Sequence, residues 1–365
     1  MLAAALLPLL AATSAADAAA GPTLFFGPTA NLDKVALSAL VDGLVKSPAG
    51  LAQWKTLRAR MAASPGGGAL HLRQAAFGVL SAAQQARLAR VSKSIGLPIS
   101  IEAGGALCGA GSGALAAQHQ LQNNLHDFLQ AGGTLSHVML ESVFSRTTAA
   151  CGLGPNPNQT HAQTAAELAG YAAALKKGLG ADTIFFLYDA IPHYAVGSEW
   201  PANTFAAHYE LELGAVLTQL KAAMGAKGVK LTGYWADSPM EDSACFPCMC
   251  GQDPENPCKP GPDGAGYEKI AAAVKLAKSL GLQAGKTFNS QAGGMASSEA
   301  FYNGTLADWQ GAAKAVPSAA SGGHSFDGVM VETWYPHPAQ AIPETTPYTT
   351  AYTALEVFKQ IPTAA

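Results

Sequence analysis

The stretch FDGVMVETWYPHP, residues 326–338, opens as a continuous apolar run and closes on Glu332, Trp334, Tyr335 and His337. A short run of this composition has the length of a strand, and its continuity suits a parallel strand buried on both faces. Seven similar runs precede it: TLFFGP (23–28), ALHLRQ (69–74), LPISIEAGG (97–105), HVMLESV (137–143), TIFFLYDAIPHY (183–194), VKLTGYWAD (229–237) and QAGKTFNSQ (283–291). The reading of residues 326–338 therefore depends on what lies between the eight runs and what each run ends in.

Helical patterns lie between them. Leu37, Leu40, Val41, Leu44 and Val45 recur at helical spacing. Ser81 with Gln84 reads as a capping box, Leu88, Val91 and Ile95 follow, and Gly96 supplies a stop. Leu121, Leu125, Phe128 and Leu129 form the next stripe, closed by Gly132 and Gly133. Thr164 with Glu167 reads as a second capping box, ahead of Leu168, Tyr171, Leu175 and Leu179. Leu213, Val216, Leu217, Leu220 and Met224 mark a fifth helix, and Ile270, Val274 and Ala277 a sixth. Phe301, Leu306 and Trp309 suggest a seventh region broken by Gly304, and Tyr352, Leu355, Phe358 and Ile361 close the chain. Strict alternation of parallel strands and helices leaves an open doubly wound sheet or a closed barrel. Eight units favour the barrel, and the first strand carries no Gly-x-Gly-x-x-Gly. The expectation is one (β/α)8 domain over residues 21–365, with long loops after strands 3 to 6.

The chain has 365 residues, of which 49% are hydrophobic and only 13% charged, with a formal net charge of −3. Nothing provides the concentrated positive footprint of a nucleic-acid binder. Residues 1–20 read as a secretory signal: residues 2–12 are apolar but too short to span a bilayer, and Ala16, Asp17 and Ala18 fit a small-x-small cleavage pattern. This leader has no Lys or Arg. No later segment is long and apolar enough to span a membrane. Six cysteines, Cys108, Cys151, Cys245, Cys248, Cys250 and Cys258, suit disulfides in an oxidising compartment. Cys108 is expected to pair with Cys151, and the other four to staple a long loop. Zinc is the alternative for that group, but it lacks two clean Cys-x-x-Cys knuckles and a nearby His. Sequons at Asn158 and Asn303 fit a glycosylated, exported protein.

In such barrels the chemistry comes from the C-terminal ends of the strands. Strand 2 ends in Arg73 and Gln74, strand 3 in Glu102, and strand 4 in Glu141. Strand 5 offers Tyr188, Asp189, His193 and Tyr194, and strand 6 Tyr234, Trp235 and Asp237. Strand 7 offers Lys286, Asn289 and Gln291, and strand 8 Glu332, Trp334, Tyr335 and His337. Five strands thus end in a carboxylate, in a chain with only 25 acidic residues. Crowding them in one mouth costs energy, because like charges in a low-dielectric cleft raise one another's pKa. A carboxylate pair for acid/base work or a cation site would justify that cost. Aromatic faces stack on sugar rings, while Arg, Asn, Gln, His and carboxylates bind hydroxyls. One acid then protonates the leaving oxygen and a second carboxylate attacks or activates water.

This combination resembles the secreted TIM-barrel glycoside hydrolases in general. The resemblance implies a catalytic carboxylate at the end of strand 4, which singles out Glu141, partnered by Glu332 or Asp237. It also implies substrate contacts from Arg73, Glu102, Tyr188, Asp189, His193, Trp235, Asn289, Gln291, Trp334, Tyr335 and His337. The chain departs from the largest clan, which has an Asn-Glu pair at strand 4 and a second Glu at strand 7. Here strand 4 reads Leu140-Glu141-Ser142 and strand 7 ends in Asn289-Ser290-Gln291. The chitinase-like Asp-x-x-Asp-x-Asp-x-Glu run is missing too. No cofactor or resident metal is expected, and the enzyme is expected to act on a carbohydrate as a monomer. Two other readings stay open. One is a metal-dependent sugar isomerase or hydrolase, with a divalent cation on Glu102, Glu141, Asp189, Asp237 and Glu332, assisted by His193 or His337. The other is a carbohydrate-binding barrel without chemistry. Lys286 could form a Schiff base or pair with Glu332, and Glu141 could pair with Arg73 or Arg146.

Overall fold

Eight parallel strands close on themselves in chain order: β1 (Thr23–Gly27), β2 (Gly68–Arg73), β3 (Ile99–Ala103), β4 (Leu135–Glu141), β5 (Ile184–Asp189), β6 (Leu231–Asp237), β7 (Gln283–Phe288) and β8 (Gly328–Glu332). Each overlaps one of the runs read from the sequence; β2 begins one residue before its run, at Gly68, and β4 two residues before, at Leu135. β8 returns to β1 with Glu332 level with Gly27, which completes a (β/α)8 barrel. The computed structural model describes residues 21–28, 41–44, 47–104, 111–141, 144, 160–200, 211–238, 265–317 and 326–362. The leader, all six cysteines, Arg146, Asn158 and most of the long loops expected after β3, β4 and β6 lie outside them.

The helices form where local signals agree. The helix Ala82–Ile95 starts at the Ser81–Gln84 capping box and stops at Gly96, whose φ of 62° is the left-handed conformation that a glycine stop supplies. Three expectations need correction. The fourth helix is capped not by Thr164 and Glu167 but one turn earlier, by Thr160 and Gln163, and runs His161–Leu179. The Glu167 carboxylate instead accepts from Gly111 N (2.8 Å) and Gly113 N (3.0 Å), and so caps the start of the neighbouring helix Ser112–His119. Gly304 does not interrupt the seventh region, because Ser298–Ala315 is one helix anchored by the buried Phe301, Thr305 and Trp309. The sequon at Asn303 sits inside that helix. The third stripe is a π-turn, Gln120–Asn124, followed by the short helix His126–Gln130.

Side chains alternate across each strand. Outward residues such as Phe26, Leu72, Ile101, Leu140, Leu187 and Val331 pack in the shell shared with the helices. Inward ones form a separate core: Phe25, Ala69, Met139, Phe186, Tyr188, Trp235 and Met330. Trp235 dominates it. Its indole occupies the space over Gly285 and Gly328, where an added Cβ would lie 2.4 and 2.2 Å from ring atoms. The indole N–H donates to Thr287 Oγ1 at 3.1 Å.

His137 lies on the inward face of β4, stacked on Phe186 and edge-on to Phe25. Burial pushes its pKa down to about 4. The unfolded chain therefore binds the extra proton first, and this residue's contribution to stability falls as pH drops from about 6.5 toward about 4. The buried mouth acids have raised pKa values and act in the opposite direction, so the comparison must be with a variant. Between pH 7 and pH 4, His137→Phe is expected to remove an acid-side loss of up to about 3 kcal/mol, read from urea midpoints. Equal pH slopes for the two proteins would refute this role.

Candidate active site

The two-residue period decides which strand ends reach the mouth. The inward series Ala69–His71–Arg73, Ser100–Glu102, His137–Met139–Glu141, Trp235–Asp237, Thr287–Asn289 and Met330–Glu332 each end on a polar group. Of the five strand-end carboxylates, four converge there. Asp189 follows the inward Tyr188 and so faces outward. Its oxygens accept from Tyr194 OH (2.7 Å) and Ala190 N (2.9 Å), and His193 Nδ1 lies at 3.3 Å. Asp189 thus organises the turn after β5, contrary to the substrate-binding role expected of it. His193, 31% exposed, is its partner.

Lys286 is likewise outward. Its Nζ donates to Asp308 Oδ2 (2.8 Å), Thr287 O (2.8 Å) and Ser238 O (3.0 Å) in a fully buried pair. It neither pairs with Glu332 nor faces the mouth, so the Schiff-base reading is excluded by geometry. Trp235, expected as a platform, is 1% exposed and is core. Tyr188 is also fully buried and positions acids instead of meeting solvent. Of the aromatics expected at the rim, Trp334 and Tyr335 are partly exposed, with ring centres 6.4 Å apart.

The mouth acids are held differently. Glu102 Oε1 accepts from Arg73 Nε at 3.1 Å, and Arg73 Nη2 also reaches Glu141 Oε2 at 3.8 Å. The pairing of Glu141 with Arg73 is therefore observed. Burial, then the Glu141 charge, pushes the Glu102 carboxyl well above the usual range against the opposing pull of Arg73. Glu332, 1% exposed, accepts from Tyr188 OH at 2.5 Å and faces His71 Nε2 at 3.9 Å. Burial raises its pKa to about 7, while the Tyr188 hydrogen bond and the Arg73 charge resist the shift. Asp237 is buried, and its Oδ1 has no hydrogen-bond partner among the described residues. Burial, then the charges of Glu332 and Glu141, holds its carboxyl well above the normal range. Asn289 is fully buried, and neither amide atom has a hydrogen-bond partner among the described residues. Gln291 opens the short helix Gln291–Ala296, and His337 is tied by its backbone to Gly294.

His71 and Ser100 were missed by the sequence reading. His71 lies inside an apolar run, which reads as core. The signal was its place two residues before Arg73, on the same inward face. Its Nδ1 meets Ser100 Oγ at 3.0 Å, and burial lowers its pKa to about 3.

Two cavities of about 500 and 520 Å³ open elsewhere, lined by Leu97, Pro98 and Thr183 in one and by Thr23, Lys230 and Gln283 in the other. These residues start the strands, on the face opposite the chemistry of this fold.

The chain matches no protein-family model and no curated protein. Solved structures similar to it are (β/α)8 barrels. The catalytic domain of a β-amylase from Paenibacillus polymyxa is 10% identical, with a TM-score of 0.48 over 94% of this chain and 100% of that one. A β-1,4-mannanase from the sea hare Aplysia kurodai is 12% identical, with a TM-score of 0.44 over 94% and 95%. An OMP decarboxylase from Leishmania donovani is also 12% identical, with a TM-score of 0.42 over 93% and 94%. The likeness is one of fold. No helix among the described residues is long and apolar enough to cross a membrane.

Proposed function

We propose that the protein is a secreted enzyme that cleaves glycosidic bonds in a glycan, with Asp237 as proton donor and Glu141 as the carboxylate that attacks carbon or activates water. The observation that carries this is the contrast between the two acids. The Glu141 side chain is 16% exposed, with the Arg73 guanidinium 3.8 Å away, a setting that suits a carboxylate nucleophile or base. Asp237 is buried, and its Oδ1, without a hydrogen-bond partner among the described residues, is left for a leaving oxygen. Environments that separate two carboxylates in this way assign their acid and base roles. Glu332 is the weaker partner for Glu141: Tyr188 and Trp334 both hydrogen-bond its carboxylate and His71 faces it, whereas Asp237, which also meets Tyr188, keeps Oδ1 without a hydrogen-bond partner among the described residues. Trp334 and Tyr335 offer ring faces to a sugar, and the Asn289 amide is a ready partner for a hydroxyl.

The test is reducing-end release from a panel of glycans. Asp237→Asn is expected to lower turnover of an active glycan by about 10²–10⁴-fold, the usual worth of a general acid. The loss is expected to shrink sharply on an aryl glycoside whose phenolate leaves without protonation. Equal losses on both substrates would remove Asp237 from the acid role.

A further inference from the structure

The three buried groups His71, Glu102 and Glu332 are not used by the proposed bond cleavage. Each is held at one atom by a neighbouring side chain, Glu332 also by Trp334 and Glu102 also by Glu141, and each offers a ligand atom to a common cluster. His71 is held at Nδ1 by Ser100 Oγ (3.0 Å), Glu102 at Oε1 by Arg73 Nε (3.1 Å), and Glu332 at Oε1 by Tyr188 OH (2.5 Å). One ligand atom from each of the three lies within 4.8 Å of the others. His71 Nε2 and Glu102 Oε2 are buried without a hydrogen-bond partner among the described residues. The His71 Nε2 to Glu332 Oε2 separation of 3.9 Å is too long for a hydrogen bond and suits two ligands flanking one ion. Gly27 keeps the point open: a Cβ there would lie 2.4 Å from Glu332 Cβ and 2.9 Å from Glu332 Oε2.

We propose that His71 Nε2, Glu102 and Glu332 bind one first-row divalent cation, Zn²⁺ or Mn²⁺, at the inner floor of the mouth. Two carboxylates and one imidazole form a mixed O/N set, which favours these ions over Ca²⁺ and Mg²⁺. Ser100 serves as the outer hydrogen-bond partner: with the His71 N–H on Nδ1, the lone pair of Nε2 points at the ion. The cation offsets the charge of two buried carboxylates that otherwise repel one another. Arg73 links this group to Glu141, and Tyr188 links it to Asp237, so substrate hydroxyls that complete the coordination lie beside the proposed acid and base. The sequence reading placed a cation on the strand-end acids with His193 or His337. The geometry replaces those histidines with His71. The inference rests on the mouth being the functional site, not on hydrolysis.

The experiment uses the full chain, stripped with a chelator and titrated with ZnCl₂ or MnCl₂. Bound metal is measured after desalting, and stability by thermal denaturation. The wild type is expected to retain about one equivalent and to gain stability with added metal. His71→Ala and Glu102→Gln, checked for native circular dichroism, are expected to bind more than about 100-fold more weakly, and Ser100→Ala, which removes no ligand, about 10–100-fold more weakly. Glu141→Gln is expected to keep the metal. A wild type that retains no metal, or variants that bind as tightly as wild type, would overturn the site. Metal retained without any glycan turnover would count against the hydrolase reading and leave the site standing.

Discussion

Glu141→Gln is expected to lower turnover of an active glycan by about 10³-fold or more while leaving the folding free energy within about 1 kcal/mol of wild type. The two halves of this expectation have separate physical origins. The substitution keeps the shape of the side chain but removes the charge that, in the proposed reaction, attacks carbon or takes a proton from water. Loss of a group used only in the transition state falls on kcat and kcat/KM together. The fold barely notices, because the Glu141–Arg73 contact is long, at 3.8 Å, and the Glu141 side chain is partly exposed. Arg73 keeps its shorter bond to Glu102 at 3.1 Å. A purely structural acid would show the reverse pattern: stability lost and turnover kept.

Trp235→Ala is expected to destabilise the barrel by about 3–5 kcal/mol, the usual cost of emptying a buried aromatic site. In a chain of this size that shifts the thermal midpoint by on the order of 5 °C. Trp235 fills the barrel because Gly285 and Gly328 give it space, and neither glycine has a side chain to collapse into the void. The loss also leaves Thr287 Oγ1 without its indole donor, under the Tyr188 hydroxyl that holds Glu332. Trp235→Phe retains most of the volume and is expected to cost less than half as much. Urea unfolding measures both. A Trp235→Ala cost below about 1 kcal/mol would mean that the indole is a surface platform after all.

The same residue shows where the sequence was legible and where it was not. All eight strands were readable, because a strand buried on both faces must be apolar throughout, and the eight runs are separated by helical periods. That continuity also concealed which residues face inward. Trp235 and Tyr188 looked like rim groups because they stand near strand ends. Only the pairing of each strand with its neighbours shows them beneath Asp237 and Glu332. Asp189 looked like a fifth mouth acid for the same reason, although a shift of one residue puts it on the opposite face from Tyr188. His71 was passed over because a histidine inside an apolar run reads as core. Its value comes from Ser100, Glu102 and Glu332, which lie far from it in sequence. The site acids were visible as residue types, but the division proposed for them, into a proton donor, a nucleophile or base beside Arg73, and two cation ligands, depends on contacts between strands.

The most direct measurement of the central claim is reducing-end release from a broad glycan panel by the metal-supplied wild type beside Glu141→Gln and Asp237→Asn. The geometry predicts hydrolysis of at least one glycan by wild type and its loss in both variants, with their folds intact. Hydrolysis that survives both substitutions, or a folded wild type that cleaves nothing on the panel, would contradict it.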